Sequence, residues 1–264
     1  MHLHTGHTLE EFDLIYHYVS PQLIAYYRHS IQTTTHDSTT SHTTPHNMLC
    51  LTLYYFRQYQ SHRFICDDFN MSETTFRRIV DYVIESLYTT IVPVYIIYNR
   101  HQLQSPINTN TLFISAHLII DTTTIAIDRP EDHTICLEYF NMKSFTHHGL
   151  KFQIATDLRG NIIHVSDTVN GSVHDKTLYE SSTLFPLINN TMRIIGDKGY
   201  QGCENAYTPI KKPRGRELNE GEIYYNYTIY SQRVVIENIF HRMKQYRIIG
   251  DIYRGDRDDT LLRV

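Results

Sequence analysis

Arg193-Ile194-Ile195-Gly196-Asp197-Lys198-Gly199-Tyr200 is the stretch whose reading decides the fold. An apolar run stops abruptly at a glycine, an aspartate and a second turn glycine. It reads as a short buried strand that carries a carboxylate to one edge of a sheet. In open α/β sheets, ligands bind just beyond the carboxyl ends of the strands. His117-Leu118-Ile119-Ile120-Asp121-Thr122 repeats the device upstream, and Glu237 stands downstream in Arg233-Val234-Val235-Ile236-Glu237-Asn238-Ile239-Phe240. Asp121, Asp197 and Glu237 read together as one metal site.

The segments around these acids set the order of elements. Ile119, Ile120, Ile125 and Ile127 bracket Asp121-Thr122-Thr123-Thr124, and Pro130 follows, so β-branched residues predict a strand there. Thr134 to Phe140 is expected to form a further strand. Gly149 to Thr156 and Ile162 to Val165 alternate apolar and polar around Asp157-Leu158-Arg159-Gly160, a hairpin turn. Gly171-Ser172-Val173-His174-Asp175 opens a helix over Lys176 to Ser181, the strand into Asp197 follows, and a helix over 231–246 closes the series. Antiparallel strands in meander, a crossover helix and another strand is the order of a ribonuclease-H-like fold, a mixed α/β sheet with flanking helices. A right-handed crossover would set the last strand beside the first, with Asp121 and Asp197 on neighbouring strands.

Two-metal phosphoryl transfer needs carboxylates that hold two divalent ions about 3.5–4 Å apart. Hard oxygen ligands suit Mg²⁺ or Mn²⁺. Arg233, Glu237, Phe240 and Lys244 recur at helical spacing. That stripe either lines a polyanion or is a solvated face with an Arg233–Glu237 pair. Asp175 competes for the role of second acid, but it stands at a helix start, where aspartate commonly caps. Asp197 is preferred because it ends a strand, which leaves Asp175 as a neighbour supporting the ligands. The sequence has no G-x-S-x-G nucleophile elbow and no G-x-x-x-x-G-K-[ST] phosphate loop.

The chain has 264 residues, 41% hydrophobic and 20% charged, which is globular rather than disordered. A net charge of −4 gives no bulk support for nucleic-acid binding, so cations must act in local patches. Cys50, Cys66, Cys136 and Cys203 are scattered without C-x-x-C, which points to free thiols in a reducing compartment. No N-terminal apolar signal region and no apolar run of about 18 residues is present, so neither secretion nor a membrane span is expected.

Upstream, Thr8-Leu9-Glu10-Glu11 is a capping box opening a helix, Pro21 is expected to open a second one, and His2, His4 and His7 read as a frayed end. Residues 32–47 form a Thr-, Ser- and His-rich linker. Three helices follow over 46–88, the last capped by Ser72, and residues 89–116, interrupted by Pro93 and Pro106, read as a connector. A short helix, a tight turn and a capped helix make a helix-turn-helix pattern with Arg77 and Arg78 exposed, or else an ordinary helical hairpin. The expected domains are 1–44 for the N-terminal helices and linker, 45–105 for the helix-turn-helix region and connector, and 106–264 for the catalytic part.

Ile120-Asp121-Thr122-Thr123-Thr124-Ile125-Ala126-Ile127-Asp128-Arg129-Pro130, Gly171-Ser172-Val173-His174-Asp175, Gly196-Asp197-Lys198-Gly199-Tyr200 and Arg233-Val234-Val235-Ile236-Glu237 resemble, in order, the blocks of DDE transposases of the PIF/Harbinger type. Tyr230, Arg233, Glu237 and Lys244 also match the Tyr-x2-Arg-x3-Glu-x6-Lys signature of related bacterial enzymes. The resemblance covers roughly residues 45–250. It implies a divalent-metal DNA endonuclease, with Asp121, Asp197 and Glu237 as catalytic ligands of two ions. Asp175, His174 and Tyr230 would support them. It favours the helix-turn-helix reading, and thus double-stranded DNA as partner. The DNA contacts would be Arg77, Arg78, Lys211, Lys212, Arg214 and Arg216, with Arg233 and Lys244 beside the acids. It also raises a separate DNA-binding subunit or self-association as partners, and a nuclear location in a eukaryote or a cytoplasmic one otherwise. Family members continue beyond the catalytic helix, whereas this sequence ends at Val264. A shortened copy is therefore weighed, either still active or reduced to a catalytically inactive DNA-binding protein.

Overall fold

The computed structural model describes residues 2–33, 43–96, 113, 115–188 and 192–255. The chain divides into two compact units, 1–95 with 244–264, and 96–243. Most of the linker expected over 32–47 and of the connector expected over 89–116 lies outside the described residues. Among the described residues, no helix is long and apolar enough to cross a membrane.

The first unit is helical: α1 (His2–Thr5), α2 (Leu9–Thr33), α3 (Pro45–Gln58), α4 (His62–Asp68) and α5 (Glu73–Tyr95). The capping box holds, with Glu11 N–H donating to Thr8 Oγ1 at 3.2 Å and Thr8 N–H to Glu11 Oε2 at 2.8 Å. Pro21 does not open a new helix; it lies inside α2. A proline there leaves the carbonyl of His17 without its helical donor, and Ser20 Oγ donates to that oxygen at 3.3 Å. Pro93 likewise sits inside α5, in its last turn. Phe12, Val19 and Leu23 of α2 share one buried core with Met48, Leu49, Ile65, Phe76, Ile79 and Val83. Between α4 and α5, Asn70 takes a left-handed φ of 48°, and Ser72 Oγ accepts from Thr75 N–H at 3.1 Å to start α5. This is a helical helix-turn-helix region.

The second unit is built on β1 (Ala116–Ala126), β2 (Gly149–Asp157), β3 (Ile162–Val165), β4 (Val169–Asn170), β5 (Arg193–Ile195) and β6 (Ala206–Tyr207). The sheet order is β3-β2-β1-β5-β6, with β4 against β2. The β1–β2 and β2–β3 pairs are antiparallel, while β1–β5 and β5–β6 are parallel. Its helices are α6 (His133–Tyr139), α7 (Asp175–Ser181) and α8 (Glu220–Lys244). The mixed sheet with flanking helices is the expected fold. The strand expected over Thr134 to Phe140 is instead α6: Asp132 accepts from Thr134 N–H at 2.7 Å and Ile135 N–H at 3.1 Å and so starts a helix there. The final helix begins earlier than expected, because Asn219 and Glu222 cap each other's backbone at 2.8 and 2.9 Å.

Strand parity separates the two faces of the sheet. Leu118 and Ile120 join Ala155, Ile194, Tyr179 of α7 and Tyr200 in one core. Ile119 and Asp121 therefore point to the opposite face, where α8 buries Ile229, Arg233 and Ile236.

Candidate active site

The parallel register of β1 and β5 builds the site. Leu118 is opposite Ile194 and Ile119 opposite Ile195. Two residues past Ile119, still within β1, Asp121 meets Arg233 of α8, and two residues past Ile195, just beyond the end of β5, stands Asp197. The two carboxylates are close enough that Asp197 raises the Asp121 pKa.

Asp121 is buried, and burial is the main cause that pushes its carboxyl up, opposed by the Arg233 guanidinium and the Thr122 N–H. Its Oδ1 accepts from Thr122 N–H at 2.8 Å and its Oδ2 from Arg233 Nη2 at 2.6 Å. Asp197 Oδ1 accepts from Gly199 N–H at 2.7 Å, which starts a single 3₁₀ turn over Lys198–Tyr200. A side chain at position 199 has no room: a Cβ there would stand 2.5 Å from Asp175 Oδ2 and 2.8 Å from Asp197 Oδ1. Gly199 is therefore the floor against which both carboxylates lie.

Asp175 reaches the same edge from the α7 face. Its Oδ1 accepts from Thr122 Oγ1 and Lys151 Nζ, both at 3.0 Å, and Lys143 Nζ stands 3.9 Å from Oδ2. Lys151 is buried and also donates to the carbonyl of Val173 at 2.5 Å. Beneath the acids, Tyr200 is fully buried and its hydroxyl accepts from Gln153 Nε2 at 2.9 Å. Burial, reinforced by Asp121, Asp175 and Asp197, holds this phenol well above its ordinary range, so it stays protonated.

Glu237 is reached through Arg233. Its Oε1 lies 3.7 Å from Arg233 Nη1, and its side chain is 55% exposed. Arg233 is buried between the two acids, and its Nε is buried without a hydrogen-bond partner. Among the described residues, no three His, Cys, Asp or Glu side chains are arranged to hold an ion as they lie. The physical reason is visible in the ion pairs: the guanidinium takes the Asp121 oxygen and the Glu237 carboxylate turns to that same cation.

The expected stripe of Arg233, Glu237, Phe240 and Lys244 is split by burial, with Arg233 and Phe240 inside and Glu237 and Lys244 exposed. Lys244 ends α8 and belongs with the first unit. Tyr230 is exposed in line with Ile223, Tyr227 and Val234. His174 is exposed at the N-cap of α7 and makes no capping bond. Arg77 and Arg78 are exposed on α5, where Arg77 pairs with Glu73 at 3.9 Å. In the 211–216 loop Lys211 and Arg214 are exposed, Lys212 pairs with Glu217, and Arg216 forks onto Glu222 through two bonds of 2.7 Å. Arg216 thereby braces the start of α8. The sequence reading missed Lys151, Lys143, Thr122 and Gly199. Lys151 left a signal, a lone cation in the otherwise apolar run Gly149-Leu150-Lys151-Phe152.

Residues 120–261 match the DDE superfamily endonuclease family, and residues 44–93 match the helix-turn-helix of DDE superfamily endonucleases. A probable transposase for insertion sequence element IS702, from Microchaete diplosiphon, is 27% identical over 213 residues, covering 79% of this chain and 73% of that protein. No solved structure matches the chain at a significant level.

Proposed function

The chain belongs to the DDE superfamily endonucleases, and on that premise we propose that it is a transposase that cuts DNA phosphodiester bonds with divalent metal held by Asp121, Asp197 and Glu237. The observation that carries the reading is the nearness of Asp121 and Asp197, which follow the paired Ile119 and Ile195 by two positions each and whose carboxylates act on one another. Asp121, Asp197 and Glu237 offer carboxylate oxygens, the donors that suit Mg²⁺ or Mn²⁺. A bound divalent cation would neutralise charge on the phosphoryl group and make the attacking water or hydroxyl a stronger nucleophile.

This chain's own residues do the positioning. Asp121 and Asp197 are fixed by backbone N–H groups at 2.8 and 2.7 Å, so their free lone pairs keep one direction. Arg233 supplies the positive charge between Asp121 and Glu237 and is placed to turn to a phosphate once that charge is supplied otherwise. Lys151 and Thr122 hold Asp175 as an acceptor, which keeps it a support of the edge rather than a free ligand. The exposed Arg77 and Arg78 on α5 support duplex contact by the helix-turn-helix, with Lys211 and Arg214 as further phosphate contacts. The four blocks in order favour kinship with PIF/Harbinger-type enzymes, and the spacing of Tyr230, Arg233, Glu237 and Lys244 favours the bacterial insertion-sequence branch equally. Nicking of a supercoiled plasmid with and without Mg²⁺ tests the proposal. Metal-dependent nicks support it, and DNA left intact under both conditions contradicts it.

A further inference from the structure

The turn between α6 and β2 is tied down yet displays apolar side chains. Asn141 N–H donates to the His147 carbonyl at 2.8 Å, Ser144 N–H to the Asn141 carbonyl at 3.0 Å, and His147 N–H to the Ser144 carbonyl at 2.9 Å. Ser144 Oγ and Thr146 Oγ1 both donate to the His148 carbonyl at 2.8 Å. His148 Nδ1 donates to the Thr146 carbonyl at 2.9 Å, which leaves Nε2 to accept from the Cys136 thiol at 2.9 Å. The turn is thus closed on itself and anchored in the strand-edge structure. Its outward side chains are Met142 and Phe145, 78% and 67% exposed, with Lys143 between them, its side chain 73% exposed.

The same turn borders the acids. Asn141 Nδ2 donates to Thr124 Oγ1 on β1 at 2.9 Å, and Lys143 Nζ lies 3.9 Å from Asp175 Oδ2. So exposed and long an ion pair is weak, and the ammonium is free to meet another anion. Lys151 cannot do so, because Val173 and Asp175 enclose it.

We infer that Met142, Lys143 and Phe145 form a platform that takes an unpaired nucleotide of the DNA strand beside the cut phosphodiester, the base stacked on Phe145 and Met142 and the phosphate on Lys143. The inference rests on the proposed nuclease function. The occupant follows from the chemistry presented. A ring, a cation and a thioether within four consecutive residues match a flat apolar base joined to a phosphate. Paired bases are stacked within the duplex, so only an unpaired base offers a face to the ring. Base–aromatic stacking tolerates any sequence and needs a groove with cations along the backbone. Lys143 also supplies charge where the carboxylates alone would repel a strand. A turn fixed before binding loses little freedom when it is covered.

The test uses the full chain without divalent metal and two probes, a blunt duplex and the same duplex with a single-stranded extension carrying 2-aminopurine. The wild type is expected to quench the extension and to bind that probe about tenfold more tightly than the blunt one. Phe145→Ala and Met142→Ala should each reduce that preference severalfold, Phe145→Tyr should keep it, and blunt-duplex binding should not move. Lys143→Gln should weaken the extended probe and flatten its salt dependence. A folded Phe145→Ala protein that quenches and prefers the extension as the wild type does overturns the inference. So does a Phe145→Ala protein that changes its association state with DNA binding untouched, which would make this face a contact between copies. A wild type that binds neither probe and cuts no DNA in Mg²⁺ sinks the nuclease reading itself. A wild type that cuts DNA but shows no Phe145 effect sinks only the platform.

Discussion

Arg233 donates through Nη2 to Oδ2 of Asp121 at 2.6 Å, and both side chains are buried. A charged pair in that setting holds only while both partners are present. Arg233→Met would leave Asp121 buried with Asp197 beside it, and so raise the Asp121 pKa further. Breaking such a pair is expected to cost about 3 kcal/mol at neutral pH. The sign of the pH dependence follows from the raised folded pKa: the stabilising proton is bound at low pH and lost as pH rises through that value. The deficit of the variant should therefore shrink between about pH 7 and about pH 4. Urea melts of wild type and Arg233→Met at both ends check this. A deficit that does not narrow would mean that the ion pair is not its origin.

The same contact predicts competition with metal. While Arg233 holds Asp121 Oδ2 and faces Glu237, an incoming cation must displace a cation already present. Arg233→Gln should bind Mn²⁺ more tightly, by about tenfold, or roughly 1.4 kcal/mol, while cutting DNA more slowly. Mn²⁺ binding followed by electron paramagnetic resonance reads the first effect without reference to activity. Weaker Mn²⁺ binding in the variant would show that Arg233 assists the metal instead.

Two sets of cations should separate in a salt series. Each phosphate contact contributes a slope of about −0.9 in log K against log salt. Neutralising Arg77 and Arg78, which are exposed on α5, should make the slope shallower by about two such contacts and leave Mn²⁺ binding unchanged. Arg216→Gln should change the slope little and lower stability instead, because its guanidinium is already forked onto Glu222. That Glu222 carboxyl is held down at about 2, chiefly by the Arg216 bond. Equal slopes for the Arg77/Arg78 variant and wild type would remove α5 from the DNA interface.

Much of this was legible in the residues, and the exceptions have physical causes. Ile194-Ile195 and Ile119-Ile120 are β-branched runs that end in acids, so both strands and their neighbourhood followed from pattern. Thr134 to Phe140 is equally rich in β-branched and aromatic residues, yet one capping carboxylate at Asp132 makes it helical. Pro21 reads as a helix start, but the hydroxyl of Ser20 serves the carbonyl it leaves bare. In the site, Asp121 and Asp197 were readable because each closely follows a β-branched run, although Asp121 lies within β1 and only Asp197 follows a strand end. Arg233 was read as lining a polyanion or as half of a surface pair; its burial against Asp121 depends on tertiary packing that periodicity does not carry. Lys151 was missed for the same reason, since its partner Asp175 lies on a different element.

The most direct test compares plasmid nicking in Mn²⁺ by wild type, Asp197→Asn and Asp175→Asn, with folding and duplex binding verified for each. Asp197 lies near Asp121, two residues past the paired Ile195, whereas Asp175 is bonded to Lys151 and Thr122. Asp197→Asn should lower nicking by roughly a thousandfold, the scale of losing several kcal/mol of charge stabilisation, and leave duplex binding intact. Asp175→Asn should lower it by about 10–100-fold, as for a group that supports a ligand. Full activity in Asp197→Asn, or a deeper loss in Asp175→Asn, would contradict the account.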